Sequence, residues 1–275
     1  MNFKPLFATF FFSTCTLGIS AAETTAPMII AHRGASAYAP ENTLAAARLG
    51  WQMGAPAVEI DVYTTADGEV VVMHDRTTKR TTGVDLPVAT TSTAQFALLE
   101  AGAWKSPQYA GEPVPFLHHV VAAIPDGRTL VIEIKDTPAT VAGVKRVLDH
   151  YGRHDQAVII SFNKDVCVEA RREFPKMPVY WLLGAPKNEE TGEFLPIDIV
   201  YAAEAAAAGF TGLNVSFRGA HPGLVAACRE LGMPLFVWTV NDTADAKRLV
   251  SFGVTGITTD KPDVMLEAFG LTPAH

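Results

Sequence analysis

The sequence predicts a (β/α)8 TIM barrel on three observations. Eight short runs rich in β-branched residues, at 28–31, 57–63, 129–135, 157–162, 179–183, 212–216, 235–240 and 256–259, alternate with helical stretches. Such alternation builds a parallel sheet, and eight units close it on itself. Six of the helical stretches run into a glycine, and the 275-residue length suits a single barrel.

The first residues stand outside this pattern and read as an export signal. Lys4 supplies a thin positive start, residues 6–17 an apolar run containing Phe10, Phe11 and Phe12, and Ser20, Ala21 and Ala22 a small-residue cleavage site. Cleavage is expected after Ala22, leaving residues 23–275 as one domain. An uncleaved anchor fits less well, because the run is shorter than the ~20 residues a bilayer needs. Ser13, Thr14 and Thr16 also interrupt it. A lipid anchor on Cys15 is disfavoured by Thr14 before it. The expectation is therefore an exported protein with no stable membrane anchor, placed in a periplasm before the medium.

The formal net charge is −7, and removal of Lys4 with the signal makes the chain more acidic still. Nucleic acid is excluded as a partner, since phosphate backbones are held by clustered Lys and Arg and no such cluster occurs. A small monoanionic substrate remains compatible if a local cation offsets the field. Beyond the signal the chain has only Cys167 and Cys228, which read as small buried residues on helix faces rather than as a disulfide. They have no metal-ligand spacing.

In chain order, helices are expected at residues 43–53, 116–124, 139–151, 165–174, 197–208, 222–231, 244–252 and 262–269. Gly54, Gly152, Gly209, Gly232, Gly253 and Gly270 follow as terminators. One segment breaks the rhythm. After the second strand, the turn Ala66-Asp67-Gly68-Glu69 leads into a short strand at 70–73 that delivers His74. Residues 76–115 follow, polar and rich in Thr, Gly and Pro, with one helical patch near 94–100. This reads as an insertion over the barrel mouth, where βα loops carry function. Residues 184–196 form a second long, charged connection, of the length of a lid or a disordered loop.

The chemistry concentrates at the strand ends. In Val58-Glu59-Ile60-Asp61-Val62 the carboxylates share one strand face and the aliphatic residues the other. In a closed barrel the aliphatic face meets the helices, so both acids point inward, near the end where barrel active sites lie. Ile132-Glu133-Ile134-Lys135 repeats the device on the next strand. Three converging carboxylates are costly to bury unless protonated or compensated by a cation. Oxygen-only ligands favour one divalent cation, Mg²⁺ or Ca²⁺. The competing reading is an ion-pair network with Arg33 and Lys135.

His32 ends the first strand and His74 arrives from the other side of the acidic strand. Two imidazoles flanking a carboxylate cluster suit a pair in which one removes a proton as the other gives one; the alternative is that they ligate the metal. His118 and His119, adjacent on a helix and expected to face apart, are set aside with His150, His154 and His221 as surface or helix-end residues. Phe162 and Trp238, closing the fourth and seventh strands, can wall a substrate pocket.

Taken together, His32-Arg33-Gly34, Pro40-Glu41-Asn42-Thr43, Glu59-Ile60-Asp61-Val62, His74-Asp75 with Arg80-Thr81-Thr82-Gly83, Glu133-Ile134-Lys135, Ser161-Phe162-Asn163, Trp238-Thr239-Val240-Asn241 and Thr259-Asp260-Lys261-Pro262 resemble the glycerophosphodiester phosphodiesterases. The likeness spans the chain beyond the signal in order, and its length is that of the short bacterial type. The resemblance implies a barrel with a small insertion after the second strand and metal-dependent hydrolysis of glycerophosphodiesters to glycerol 3-phosphate and an alcohol. It implies that His32 and His74 are the acid/base pair, that Glu59, Asp61 and Glu133 hold the metal, and that Arg33 and Lys135 lie close to the phosphate.

Three rival functions are set against this one. The same site acting on lysophospholipids, as a lysophospholipase D, requires an apolar channel. A protein that binds glycerophosphodiesters without cleaving them has no need of paired histidines. A metal-dependent amidohydrolase on the same barrel requires His-x-His pairs, and none occurs.

Overall fold

The computed structural model describes residues 26–271. The expected signal at residues 1–22 lies outside them. Chain order runs β1 (Met28–Ala31), α1 (Leu44–Gln52), β2 (Ala57–Thr64), β3 (Val70–Val72), α2 (Lys79–Thr82), α3 (Thr93–Phe96), α4 (Leu117–Ala122) and β4 (Thr129–Ile134). It continues with α5 (Thr140–Tyr151), β5 (Ala157–Ser161), α6 (Lys164–Glu173), β6 (Val179–Leu183), α7 (Val200–Ala207) and β7 (Gly212–Ser216). The last elements are α8 (Pro222–Glu230), β8 (Leu235–Trp238), α9 (Thr243–Phe252), β9 (Gly256–Thr259) and α10 (Pro262–Ala268).

The sheet order is β1-β9-β8-β7-β6-β5-β4-β2, and β1 also pairs with β2, so eight parallel strands close into a barrel. β3 stands outside the closure, antiparallel to the end of β2 through Val62↔Val72 and Thr64↔Val70. The helices between the strands cover the outer wall, giving the (β/α)8 barrel that the alternation predicts.

Side-chain alternation divides the core. Val58, Ile60 and Val62 of β2, with Leu130, Ile132 and Ile134 of β4, face the helices in the large outer cluster. Each fully buried Ile, Leu or Val there contributes roughly 1.5–3 kcal/mol. The alternate positions face inward. Ala57, Val131, Ile160, Tyr180, Leu182 and Phe236 fill the interior, with the Tyr180 and Phe236 rings stacked at 4.5 Å. Above them the inward positions become Glu59, Asp61 and Glu133. An apolar plug thus lies beneath an acidic mouth.

All six expected helix-ending glycines adopt positive φ. The element ends move by a few residues. β8 stops at Trp238 rather than at 240. α7 starts at Val200 rather than at 197 because the Ile197 amide donates to the Gly219 carbonyl and its side chain is buried. Cys167 and Cys228 are free and buried.

The segment after β3 has its own small core, in which Val88, Phe96, Leu99 and Val114 pack on Tyr63, Val71, Met73 and Phe116. Its helical patch, α3, is shorter than expected and carries a Ser92–Gln95 capping box. Residues 184–196 form an ordered hairpin-like turn with a Lys187–Phe194 bridge. Arg218 and Lys187 lie over the Phe194 ring. The expectation that His118 and His119 face apart is corrected: their ring centroids are 4.0 Å apart in the first turn of α4, where both long rings lean together. Among the described residues no helix is long and apolar enough to cross a membrane.

Candidate active site

The β1–α1 turn is built tightly against β2. Gly34 has φ +80, and a Cβ there would lie 2.3 Å from the Ala46 backbone, so only glycine fits. Arg33 and Asn42 also take positive φ, 55 and 58, which side-chain-bearing residues adopt only when the surroundings hold them. What holds Asn42 is plain: its amide donates to Asp61 Oδ2 at 2.8 Å and its Oδ1 accepts from the Asp61 amide at 3.0 Å. The Arg33 amide donates to Glu59 Oε2 at 2.8 Å.

Glu59, Asp61 and Glu133 come together as the alternation predicts. Asp61 and Glu133 are register partners across β2 and β4. One oxygen from each of the three lies within 4.8 Å of the others. Their exposures are 3%, 1% and 9%, so water screens them poorly. Lys135 Nζ reaches Glu133 at 2.9 Å and Asp61 at 3.3 Å, and Arg33 Nε lies 3.3 Å from Asp61.

Two cations do not satisfy three carboxylates equally. Burial would raise the Asp61 carboxyl, but Lys135 and Arg33 outweigh it and hold it low. Burial and the neighbouring Asp61 and Glu133 push Glu59 well up. Burial and Asp61 push Glu133 up to about 7. Glu59 Oε1 is buried with no hydrogen-bond partner. An orphaned carboxylate oxygen among closely spaced hard donors fits a divalent cation. The pure ion-pair network leaves that oxygen unexplained.

Both histidines line the same pocket as the acids, and each is gripped by a carboxylate. His32 Nδ1 lies 2.7 Å from Asp260 Oδ1. Ser36 Oγ donates to the same oxygen at 2.9 Å, and Asn241 Nδ2 to the other at 2.6 Å. Burial would raise Asp260, yet these bonds keep it well below the usual carboxylate range. An ionised Asp260 makes His32 Nδ1 the donor and leaves Nε2 as the working nitrogen. His74 Nδ1 lies 2.7 Å from Asp75 Oδ1. Asp75 in turn accepts from Arg80 Nε at 2.6 Å, and Arg80 forks onto Glu41 at 2.7 and 2.8 Å. Arg33 Nη1 joins Glu41 at 2.9 Å, linking the His74 side of the mouth to the acidic cluster. Burial lowers the His74 pKa, against the pull of Asp61 and Asp75.

The pocket has a volume of about 190 Å³ and is lined by His32, Arg33, Glu59, His74, Glu133, Lys135, Phe162 and Trp238. Asp61 lies just behind, buried between Arg33, Lys135 and Asn42. Phe162 and Trp238 meet edge to face at 5.4 Å as an apolar wall opposite the acids. A larger cavity, about 600 Å³, lies at the other end of the barrel among the first residues of β1, β4 and β5. That is the end where barrel enzymes build stability rather than chemistry.

Asp260, Asn42, Arg80, Glu41 and Asn241 entered the sequence reading only inside motifs, with no role of their own. Their signal was adjacency to a site residue or a strand end. Their partners lie far off in the chain, and no spacing rule links Asp260 to His32.

The fold and this mouth place the chain among the (β/α)8-barrel enzymes. More narrowly, it belongs to the glycerophosphoryl diester phosphodiesterase family, whose model matches residues 32–264. A glycerophosphodiester phosphodiesterase of Caldanaerobacter subterraneus is 32% identical over 244 residues, covering 87% of this chain and 96% of that one. One of Bacillus subtilis is 31% identical, covering 86% and 84%. Among solved structures, an Oleispira antarctica phosphodiesterase in complex with the product sn-glycerol-3-phosphate superposes with a TM-score of 0.81 at 29% identity, covering 89% of this chain and 97% of that one. A glycerophosphodiester phosphodiesterase from Agrobacterium tumefaciens gives 0.72 at 27%, covering 88% of this chain and 99% of that one.

Proposed function

We propose that this chain hydrolyses glycerophosphodiesters to glycerol 3-phosphate and an alcohol, using a divalent cation and the His32–His74 pair. The observation that carries the reading is one pocket in which two imidazoles, each held at Nδ1 by a carboxylate, share the lining with Glu59 and Glu133, while Asp61 converges on those two acids from just behind. The product bound to the Oleispira relative supports the same substrate class.

Glu59, Asp61 and Glu133 would hold the cation, Mg²⁺ or Ca²⁺. When bound it supplies charge neutralisation at a phosphoryl oxygen and acidifies a neighbouring hydroxyl. Lys135 and Arg33 border the same pocket and place positive charge where negative charge gathers on the phosphoryl oxygens. The glycerol hydroxyl next to the phosphate is already tethered to phosphorus, an advantage of proximity. One imidazole takes the proton of that hydroxyl as its oxygen bonds phosphorus. The bond to the departing alcohol breaks as the other imidazole protonates it. Water then opens the cyclic phosphate with the proton transfers reversed, giving glycerol 3-phosphate.

Export belongs to the same reading, supported by Lys4, the apolar residues 6–17 and the small residues through Ala22. N-terminal sequencing of the protein from a periplasmic fraction tests it, with Glu23 as the expected first residue.

The function is tested by release of glycerol 3-phosphate from glycerophosphocholine, before and after chelation and with Mg²⁺ or Ca²⁺ restored. Release that stops with chelator and returns with metal is expected. Release that ignores the chelator refutes the metal, and no release from this or other glycerophosphodiesters refutes the reaction.

A further inference from the structure

A second pocket of about 340 Å³ adjoins the first and shares His32 and Arg33 with it. Its far wall comes from the insertion, as Trp104 and Lys105, and from the segment after β9, as Lys261. Lys105 is fixed in place: its Nζ donates to the Ser36 carbonyl at 2.7 Å, while Trp104 Nε1 donates to the Ala101 carbonyl at 2.8 Å.

The charges facing this space do not cancel. Glu41 is matched by Arg33 and Arg80, while Asp260 stays a carboxylate held by hydrogen bonds from His32, Ser36 and Asn241. Among the described residues neither Lys105 nor Lys261 pairs with a carboxylate, and the only side-chain bond recorded for either is the one from Lys105 to a neutral carbonyl. Set against the Asp260 carboxylate, these two ammonium groups leave the space with a net positive charge.

The catalytic pocket, at about 190 Å³, is smaller than the ~300–1,000 Å³ of typical ligand sites, so it holds only part of a diester. The remainder must leave through an adjoining space. A third pocket meets the site at Lys135, but no histidine lines it. The oxygen of the departing alcohol has to lie within reach of an imidazole that protonates it. The space lined by His32 meets that requirement.

We propose that this second pocket receives the alcohol half of the substrate, and that Lys105 and Lys261 select alcohols bearing an anionic group of their own, such as a second phosphate. The inference rests on the diesterase reading above and deepens it. A cationic alcohol such as choline meets a net positive wall there, and an anionic one meets two unpaired ammonium groups.

The test compares three substrates on the purified full-length protein with metal present. Bis(glycerophospho)glycerol, from complete deacylation of cardiolipin, carries a second phosphate on its departing alcohol; glycerophosphoglycerol lacks it; glycerophosphocholine carries a cation. The expected result is kcat/KM for the first at least about tenfold above that for glycerophosphoglycerol, carried by KM and shrinking with salt. In the Lys105→Gln, Lys261→Gln double variant that ratio collapses toward one, and Lys105→Glu moves the preference toward choline. A merely structural role would lower all three substrates together and keep the ratio, which overturns the proposal. Equal kcat/KM for the first two substrates in the parent protein also overturns it, while leaving the diesterase reading intact. No turnover of any of the three removes the reading and the subsite together.

Discussion

His32 and Asp260 stand 228 positions apart in the chain and 2.7 Å apart in the fold. The contact exists because β1 and β9 are hydrogen-bonded neighbours, Ala31 opposite Thr259, so the residues that follow each strand meet. Asp260→Asn keeps the shape and loses the charge that fixes the imidazole tautomer. The expected outcome is a fall in kcat of roughly 10²–10⁴ with KM little changed. Steady-state kinetics across pH check it; unchanged kcat would remove Asp260 from the positioning of His32.

His32→Ala and His74→Ala should each cut turnover by roughly 10²–10⁴ while leaving metal affinity as it was. Calorimetric titration with Mg²⁺ or Ca²⁺ separates the roles. A variant that no longer binds metal identifies its histidine as a ligand.

Glu133→Gln should weaken metal affinity, because it removes one of three converging carboxylates. It should also raise the Tm of the chelated protein, since a buried carboxylate pushed up by its neighbours is an unfavourable charge. The rise in Tm on adding metal should then be smaller than in the parent. Identical metal-dependent shifts in both proteins would exclude Glu133 from the cation site.

Away from the site, Asp67 ties the turn before β3 to the start of α3. Bonds from the Thr65 hydroxyl, then the Thr93 amide and hydroxyl, lower it from 3.8 to about 2. A carboxylate lowered in the folded state stabilises the fold above its ordinary value, and that contribution is lost as pH falls toward 2. Asp67→Asn should therefore lower Tm near neutral pH and approach the parent's Tm at strongly acid pH. A gap that stays constant across this range would show that the charge is not what holds the turn.

Gly34→Ala should cost about 1–3 kcal/mol, from the positive φ and the collision with the Ala46 backbone. Urea unfolding with an unchanged slope and a lower midpoint is the expected observation. A stability equal to the parent's would mean that the turn relaxes without loss.

Much of the barrel was readable because period-2 and helical patterns are local. Val58-Glu59-Ile60-Asp61-Val62 declares which face is wet from five residues alone, and the structure places its two acids with Glu133 inside the mouth. Helix ends were readable where glycine marks them, as at Gly152 and Gly253. Less readable was the start of α7, where a tertiary bond from Ile197 to Gly219 overrides the local helical pattern. The partners of His32 and Arg80 were hidden for the same reason. Asp260 and Glu41 become neighbours only after the sheet closes, and nothing in their own surroundings announces it. His74 and Asp75, adjacent in sequence, show the opposite case.

The seam between β1 and β9 also gives the protein a built-in order of assembly. His32 is made early and its carboxylate partner almost last, so a nascent or C-terminally clipped chain lacking Asp260 has the acids and both imidazoles without the group that aims one of them. Joining the first strand to the ninth is the most distant pairing in the sheet, the kind of contact whose loop-closure cost slows folding. Turnover would then report not only chemistry but the completion of the ring. In a refolding experiment it should lag behind the return of helical signal.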